Sequence, residues 1–213
     1  MSARARPFRV RVWLEGPMVV PEQPIMLDGL MEELAARQQM YRCERPVPLP
    51  LERCDGADGA WVYAASGFRV PVANRWGCNM TRRMPQDQVA SDQRLGVKKR
   101  QRLLSESTGP DRNYLLSYTI QSLDGPAEAF GVGDVQAVRD IVQCLRAFGP
   151  KRRLHGAVAS IEVEEHDDVD AWRWRPMPDN DDGARIAMVG TLRPPYWDRT
   201  QRVITYAPVD WAA

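Results

Sequence analysis

The chain has 213 residues, 44% hydrophobic and 27% charged, enough apolar side chains for a core and too many for a disordered polymer. Its 29 Lys and Arg against 28 Asp and Glu leave a net charge of +1, which excludes a globally basic nucleic-acid binder but not a locally basic one. No stretch reaches the ~18 apolar residues that would span a bilayer, and Met1 to Pro7 contain no apolar leader core, so neither membrane nor export is expected. The cysteines Cys43, Cys54, Cys78 and Cys144 are irregularly spaced, and His155 and His166 are the only histidines. That pattern argues against zinc and fits free thiols in a reducing cytoplasm. No metal or other cofactor is expected.

Phe8 to Glu15 alternates apolar Phe8, Val10, Val12 and Leu14 with Arg9, Arg11 and Glu15, the period of a half-buried strand. Three prolines keep the next segment extended. From Asp28, read as an N-cap, Leu30, Met31 and Leu34 recur at helical spacing to about Met40. Arg45 to Gly59, rich in Pro and Gly, reads as a loop. Trp61 to Ser66 and Phe68 to Val72 read as a strand kinked at Gly67. Residues 73–113 are polar and carry nine Lys and Arg against four acids, a long basic insertion. Tyr114 to Ile120 is β-rich. Asp134 to Phe148 carries Val135, Val138, Ile141, Val142, Leu145 and Phe148 on one helical face, capped by Asp134 and stopped by Gly149-Pro150. Ala157 to Val163 is a strand. Glu162 to Asp182 holds nine acids and two arginines and is expected to face solvent or a basic partner. Arg185 to Gly190 and Arg202 to Tyr206 close the chain as short strands.

The order strand, helix, strand, insertion, strand, helix, strand predicts an α+β fold: a ferredoxin-like, RRM-like βαββαβ domain with a long basic thumb insertion and a C-terminal extension. The expected organisation is a domain over 1–164, interrupted by the thumb at 73–113, with 165–213 packing on the same domain.

The turn Gly149-Pro-Lys-Arg-Arg-Leu-His-Gly156 is the sharpest local feature. Glycines bracket Lys151, Arg152 and Arg153, so a phosphodiester could meet backbone N–H and guanidinium groups together. The plainer alternative is a helix end with solvated cations. In the insertion, Arg75-Trp76, Arg82-Arg83 and Lys98-Lys99-Arg100 combine cations with an aromatic that can stack on a base, or else merely keep a loop soluble. His155 beside the cations leaves metal-independent RNA cleavage open. Glu164, Glu165, Asp167, Asp168 and Asp170 are a magnesium candidate, weighed against a solvated acidic run.

The strand Phe8 to Glu15 followed by Pro21-Glu-Gln-Pro-Ile-Met-Leu-Asp-Gly-Leu30 resembles the N-terminus of the small RAMP subunit of type IV CRISPR systems. The passage from Asp134 to Val163 is similar to the glycine-rich loop signature of the wider RAMP superfamily, and Arg193-Pro-Pro-Tyr-Trp197 to the C-terminal part of the type IV subunit. The resemblance implies a non-catalytic subunit that caps the 5′ handle of a guide RNA and anchors neighbouring subunits. Those are a helical backbone subunit and a large-subunit-like protein, with target DNA a further candidate partner. By carry-over Gly149, Lys151, Arg152, Arg153 and Gly156 match the loop that approaches RNA, and Asp28 matches the helix-entry motif; His155 stands inside that loop. Ala157 and Ala159 depart from the family pattern, which places a second glycine soon after the first. Arg75, Trp76, Arg82, Arg83, Lys98, Lys99 and Arg100 are assigned to RNA from charge and placement. Bases are expected to stack or hydrogen-bond on the sheet and the thumb. Two alternatives stand beside this reading: a RAMP endoribonuclease using His155, and a protein–protein module with no RNA contact.

Overall fold

A computed structural model of the chain describes residues 5–39, 47–56, 59–82, 114–150, 154–180 and 183–211. The elements run β1 (Arg6–Leu14), β2 (Met18–Val19), α1 (Leu27–Gln38), β3 (Arg53–Asp55), β4 (Trp61–Tyr63), β5 (Val72–Arg82), β6 (Tyr114–Leu123), β7 (Ala127–Gly133), α2 (Val135–Val142), β8 (Val158–Glu165), β9 (Arg185–Thr191) and β10 (Arg202–Pro208). The fold is α+β, with antiparallel pairing in each registered strand pair. It divides into two compact units, Met1–Asn74 with Gln121–Ala213, and Arg75–Ile120. No described helix is long and apolar enough to cross a membrane.

The central sheet of the first unit has the order β7-β1-β8. The alternation read in β1 is realised: Phe8, Val10 and Val12 are buried, and they share one core with Leu27, Leu30, Met31 and Leu34 of α1 and Val138 and Val142 of α2. Strand β7 is a correction, because Ala127 to Gly133 was not expected to be a strand at all. It nevertheless pairs with β1 along its whole length, Arg6 opposite Gly133 through Val12 opposite Ala127. Its glycines explain the weak sequence signal. A Cβ at Gly131 would stand 2.6 Å from Phe8 Cζ, and one at Gly133 only 2.2 Å from the Pro50 carbonyl oxygen. Small residues let neighbouring backbone close on this strand.

Other boundaries also move. Asp28 does not cap α1; Met26 occupies that position, and Asp28 lies in the first turn. Asp134 does cap α2, accepting from the Gln136 and Ala137 amides, but the helix stops at Val142 rather than Phe148. Beyond it the backbone is drawn into pairing with the start of β8: Phe148 N donates to Gly156 O at 2.7 Å and Val158 N to Arg146 O at 3.1 Å. Leu145 and Phe148 still reach the core, as their spacing required. The loop expected over 45–59 contains β3, hairpinned with β4. The strand expected over 61–72 is broken, touching β7 through isolated bridges at Ala65 and Arg69.

The face of the sheet away from the helices is not an open aromatic platform. Arg9 and Arg11 of β1 meet Glu128 of β7 and Glu162 and Glu164 of β8, with Arg11 3.1 Å from Glu162 and both arginines in direct contact with Glu164. Phe130 and Val132 are covered by Trp172, Met177 and Leu192 of the C-terminal extension. Base stacking on this sheet, part of the sequence expectation, finds three carboxylates and a packed cluster instead. The acidic stretch begins with Glu162, Glu164 and Glu165 paired to arginines of β1, and Glu162, Glu165, Asp167, Asp168 and Asp170 are exposed.

Hydrogen bonds from Arg9 and Arg11 hold the Glu164 carboxyl below its ordinary value. A carboxyl depressed on folding stabilises the fold above its unfolded pKa and loses that contribution as pH falls through the lower, folded pKa. Urea midpoints should therefore drop on acidification below pH 4.5, and Glu164→Gln should flatten the part of that slope which Glu164 supplies. An unchanged slope would show that the ladder forms without stabilising the fold.

The second unit is a ribbon. Within Arg75–Ile120, β5 and β6 lie side by side, and β5 is exposed from Val72 to Gly77. The basic insertion expected over 73–113 therefore begins within β5, and β6 follows it; residues 83–113 lie outside the described residues.

Candidate nucleic-acid interface

The glycine-bracketed turn sits on a short antiparallel stem. Ala147 bridges Ala157, the two bonds just described close the stem on either side, and Gly156 N donates to Pro17 O at 2.9 Å. Gly149 has φ +90° and Gly156 φ +77°. At Gly156 the requirement is also spatial, since a Cβ would lie 2.0 Å from the Phe148 carbonyl oxygen. Both ends of the turn thus depend on the absence of a side chain. Phe148 is anchored beneath it, edge-on to Phe68 at 4.8 Å between ring centroids.

Beside the stem runs an open groove of about 430 Å³ whose walls include Glu15, Arg146, Leu154 and His155. Leu154 is half exposed. The structure brings Gly149, His155 and Gly156 to one place. Lys151, Arg152 and Arg153 lie between them in sequence and outside the described residues.

On the ribbon, Arg75 and Trp76 are exposed near the start of β5. Arg82 is the last residue of that strand. Arg83, Lys98, Lys99 and Arg100 lie outside the described residues. Across the ribbon a hydrogen bond with Cys78 raises the Tyr118 hydroxyl above its ordinary value.

Asp28 is placed differently from its RNA-facing assignment: its side chain is fully buried. Arg175 Nη1 donates to Asp28 Oδ2 at 3.3 Å, and Tyr196 Oη donates to the same carboxylate at 2.8–2.9 Å. Arg175, itself fully buried, also donates to the carbonyls of Tyr63, Ala65 and Leu192 at 2.5–2.8 Å. Burial pushes the Asp28 carboxyl up from its ordinary value, against the pull of Arg175, and drives the Tyr196 hydroxyl well above its own. The helix-entry motif therefore serves the interior: it joins α1 to the segment before Phe68 and to the C-terminal extension.

Sequence reading missed this network, and the one available signal was the position of Arg175 among Trp172, Trp174 and Pro176 in an otherwise acidic stretch. It also missed Arg53 and Arg193, whose guanidinium groups both lie over the Trp61 ring, at 4.5 and 4.6 Å from its centroid. Among the described residues no group of three or more His, Cys, Asp or Glu could hold a metal ion. Of the magnesium candidates, Glu164 and Glu165 are engaged by arginines of β1.

The family model for CRISPR type IV associated protein Csf3 matches residues 6–208. The chain belongs to that family. The match spans β1, both helices, the glycine-bracketed turn and the final hairpin, so the resemblance to a type IV CRISPR subunit holds across nearly the whole chain. No curated protein matches the sequence. Membership of the Csf3 family places the chain in the type IV CRISPR system and in association with its other components.

Proposed function

We propose that this Csf3-family chain is a non-catalytic guide-RNA-binding subunit that caps the repeat-derived 5′ handle and anchors neighbouring subunits of a type IV effector complex. The observation that carries the reading is the stem: two glycines at positive φ pin a turn whose sequence holds three consecutive cations. Backbone N–H groups and Arg or Lys side chains in one turn are the ingredients of phosphate recognition. The exposed Arg75 and Trp76 at the root of a basic ribbon suit a thumb that stacks on and neutralises a single strand. The RRM-like βαββαβ reading is supported by the sheet order β7-β1-β8, by two helices on one face, and by the segment through Ala65 and Arg69 bonded along the far side of β7. The covered opposite face directs RNA to the turn and the ribbon rather than to the sheet.

The test is a gel shift with handle-bearing guide RNA, made on the complex assembled with the other type IV proteins and without metal. Lys151→Ala, Arg152→Ala and Arg153→Ala together should weaken binding at least about tenfold and lower the salt slope by about two. An unchanged affinity would overturn the proposal and leave a module that works through protein contacts alone. One observation favours a second reading, because His155 lines one groove with Glu15 and Arg146, an imidazole, a carboxylate and a cation. Metal-free shortening of the RNA, abolished by His155→Ala, would make the chain a processing ribonuclease.

A further inference from the structure

Beside the glycine-bracketed turn, the start of β8 is held from both sides. Glu15 N donates to Ala157 O at 2.9 Å on one side, and Val158 N donates to Arg146 O at 3.1 Å on the other. Glu15 and Arg146 thus flank one strand, about 10 Å apart at the backbone, which is two strand spacings. Both line the same open groove of about 430 Å³. Small Ala147 and Ala157 line it too, and Pro17 and the half-exposed Leu154 add apolar surface.

The two charged side chains are available to a ligand. Both residues are exposed, and among the described residues neither side chain has a hydrogen-bond or ion-pair partner, so they do not pair with each other. The contrast is local, since Arg6, Arg9 and Arg11 of the preceding strand each hold a carboxylate. A carboxylate accepts two parallel hydrogen bonds and a guanidinium donates two. Guanine is the base that satisfies both forks. Its N1–H and N2 amino group are adjacent donors on one edge, and its O6 and N7 are adjacent acceptors on the next. Adenine and cytosine set one amino donor beside an acceptor that a carboxylate repels, and uracil sets one N–H between two carbonyls.

We propose that this groove reads one guanine of the handle RNA. Glu15 accepts from the guanine N1–H and N2 amino group, Arg146 donates to O6 and N7, and Leu154 lies against the base. Leu154 directly follows Lys151-Arg152-Arg153 in the turn, so a strand whose phosphate meets those cations has its base beside the groove. The proposal rests on the RNA-binding reading and deepens it: the turn supplies affinity and the groove supplies sequence.

Gel shifts on the assembled complex, with handle RNAs carrying each of the four bases at each position in turn, test it. One position should favour guanine over the other three by about tenfold or more. Inosine there, which lacks the N2 amino group, and 7-deazaguanine, which lacks N7, should each bind about fivefold more weakly than guanine. Glu15→Ala should bring guanine and inosine within about twofold of each other, and Arg146→Ala should do so for guanine and 7-deazaguanine. A thermal melt of each variant, at the wild-type midpoint, keeps the comparison to folded protein. Losses equal for all four bases would make both residues sequence-blind contacts and overturn the proposal. No guanine preference at any position, with the Lys151-Arg152-Arg153 alanine variant still weakened, would remove the groove as a reader and leave the RNA-binding reading standing. No loss in that triple variant would remove the RNA-binding reading itself. Guanosine monophosphate that binds the chain alone and is lost in Glu15→Ala, with no guanine preference in RNA, would overturn the proposal in favour of a free nucleotide.

Discussion

Arg175→Met should destabilise the chain by about 3–5 kcal/mol, the cost of stranding a buried carboxylate and its neighbouring carbonyls without their donor. At this chain length that corresponds to a melting temperature lower by roughly 10 °C. The magnitude follows from how many groups depend on one guanidinium: the Asp28 carboxylate, the Tyr196 hydroxyl and the carbonyls of Tyr63, Ala65 and Leu192, with both charges fully buried. Combining Arg175→Met with Asp28→Leu should recover part of the loss, since removing both members of a buried pair is gentler than removing one. Calorimetry on the two variants decides the matter. A loss below about 1 kcal/mol in the single variant would mean that water replaces the arginine and that the network is not closed. The RNA affinity of the folded fraction should be unchanged, because the cluster is internal.

Gly156→Ala should act on both fold and function. The backbone there is left-handed, which costs an alanine about 1–2 kcal/mol, and the new methyl group would also meet the Phe148 carbonyl oxygen at 2.0 Å. The stem opens and the bond from Phe148 N to Gly156 O is lost. The expected result is a destabilisation of about 2–4 kcal/mol with a loss of handle binding as large as that of the triple alanine variant. Gly183→Ala is the control. It has a similar φ of +65° with nothing within 4 Å of the added carbon, so it isolates the conformational cost. If the two variants are equally stable and both bind RNA normally, the close approach at Gly156 has no functional weight.

The sequence made some of this architecture plain and hid the rest for identifiable reasons. β1 was legible because a single apolar face is buried and the period is two. The N-cap of α2 was legible because Asp134 precedes a strong apolar stripe. β7 was not: its partners demand small residues, so the side chains that ordinarily announce a strand are missing. The end of α2 was misplaced because Leu145 and Phe148 keep helical spacing while the backbone beneath them changes partner. Arg9 and Arg11 gave no hint in isolation, since their pairing with Glu128, Glu162 and Glu164 joins segments more than a hundred residues apart. For the candidate interface, the two glycines were found by spacing alone. Asp28 was assigned by motif to RNA, and only its burial shows the motif answering to the interior.

The Asp28–Arg175 pair also bears on how the subunit is made. The two residues are 147 positions apart, and Asp28 and the carbonyls of Tyr63 and Ala65 that Arg175 satisfies belong to segments synthesised before it. At ordinary translation rates α1 waits roughly 10–30 seconds for its counter-charge to leave the ribosome. Over that interval the helix carries an acidic side chain with no interior to enter, and the Trp211 ring that covers Gly67 arrives later still. Completion of this part of the fold thus waits for residues 175–211 to be synthesised, so a nascent chain cannot present α1 in its finished setting before that segment has emerged.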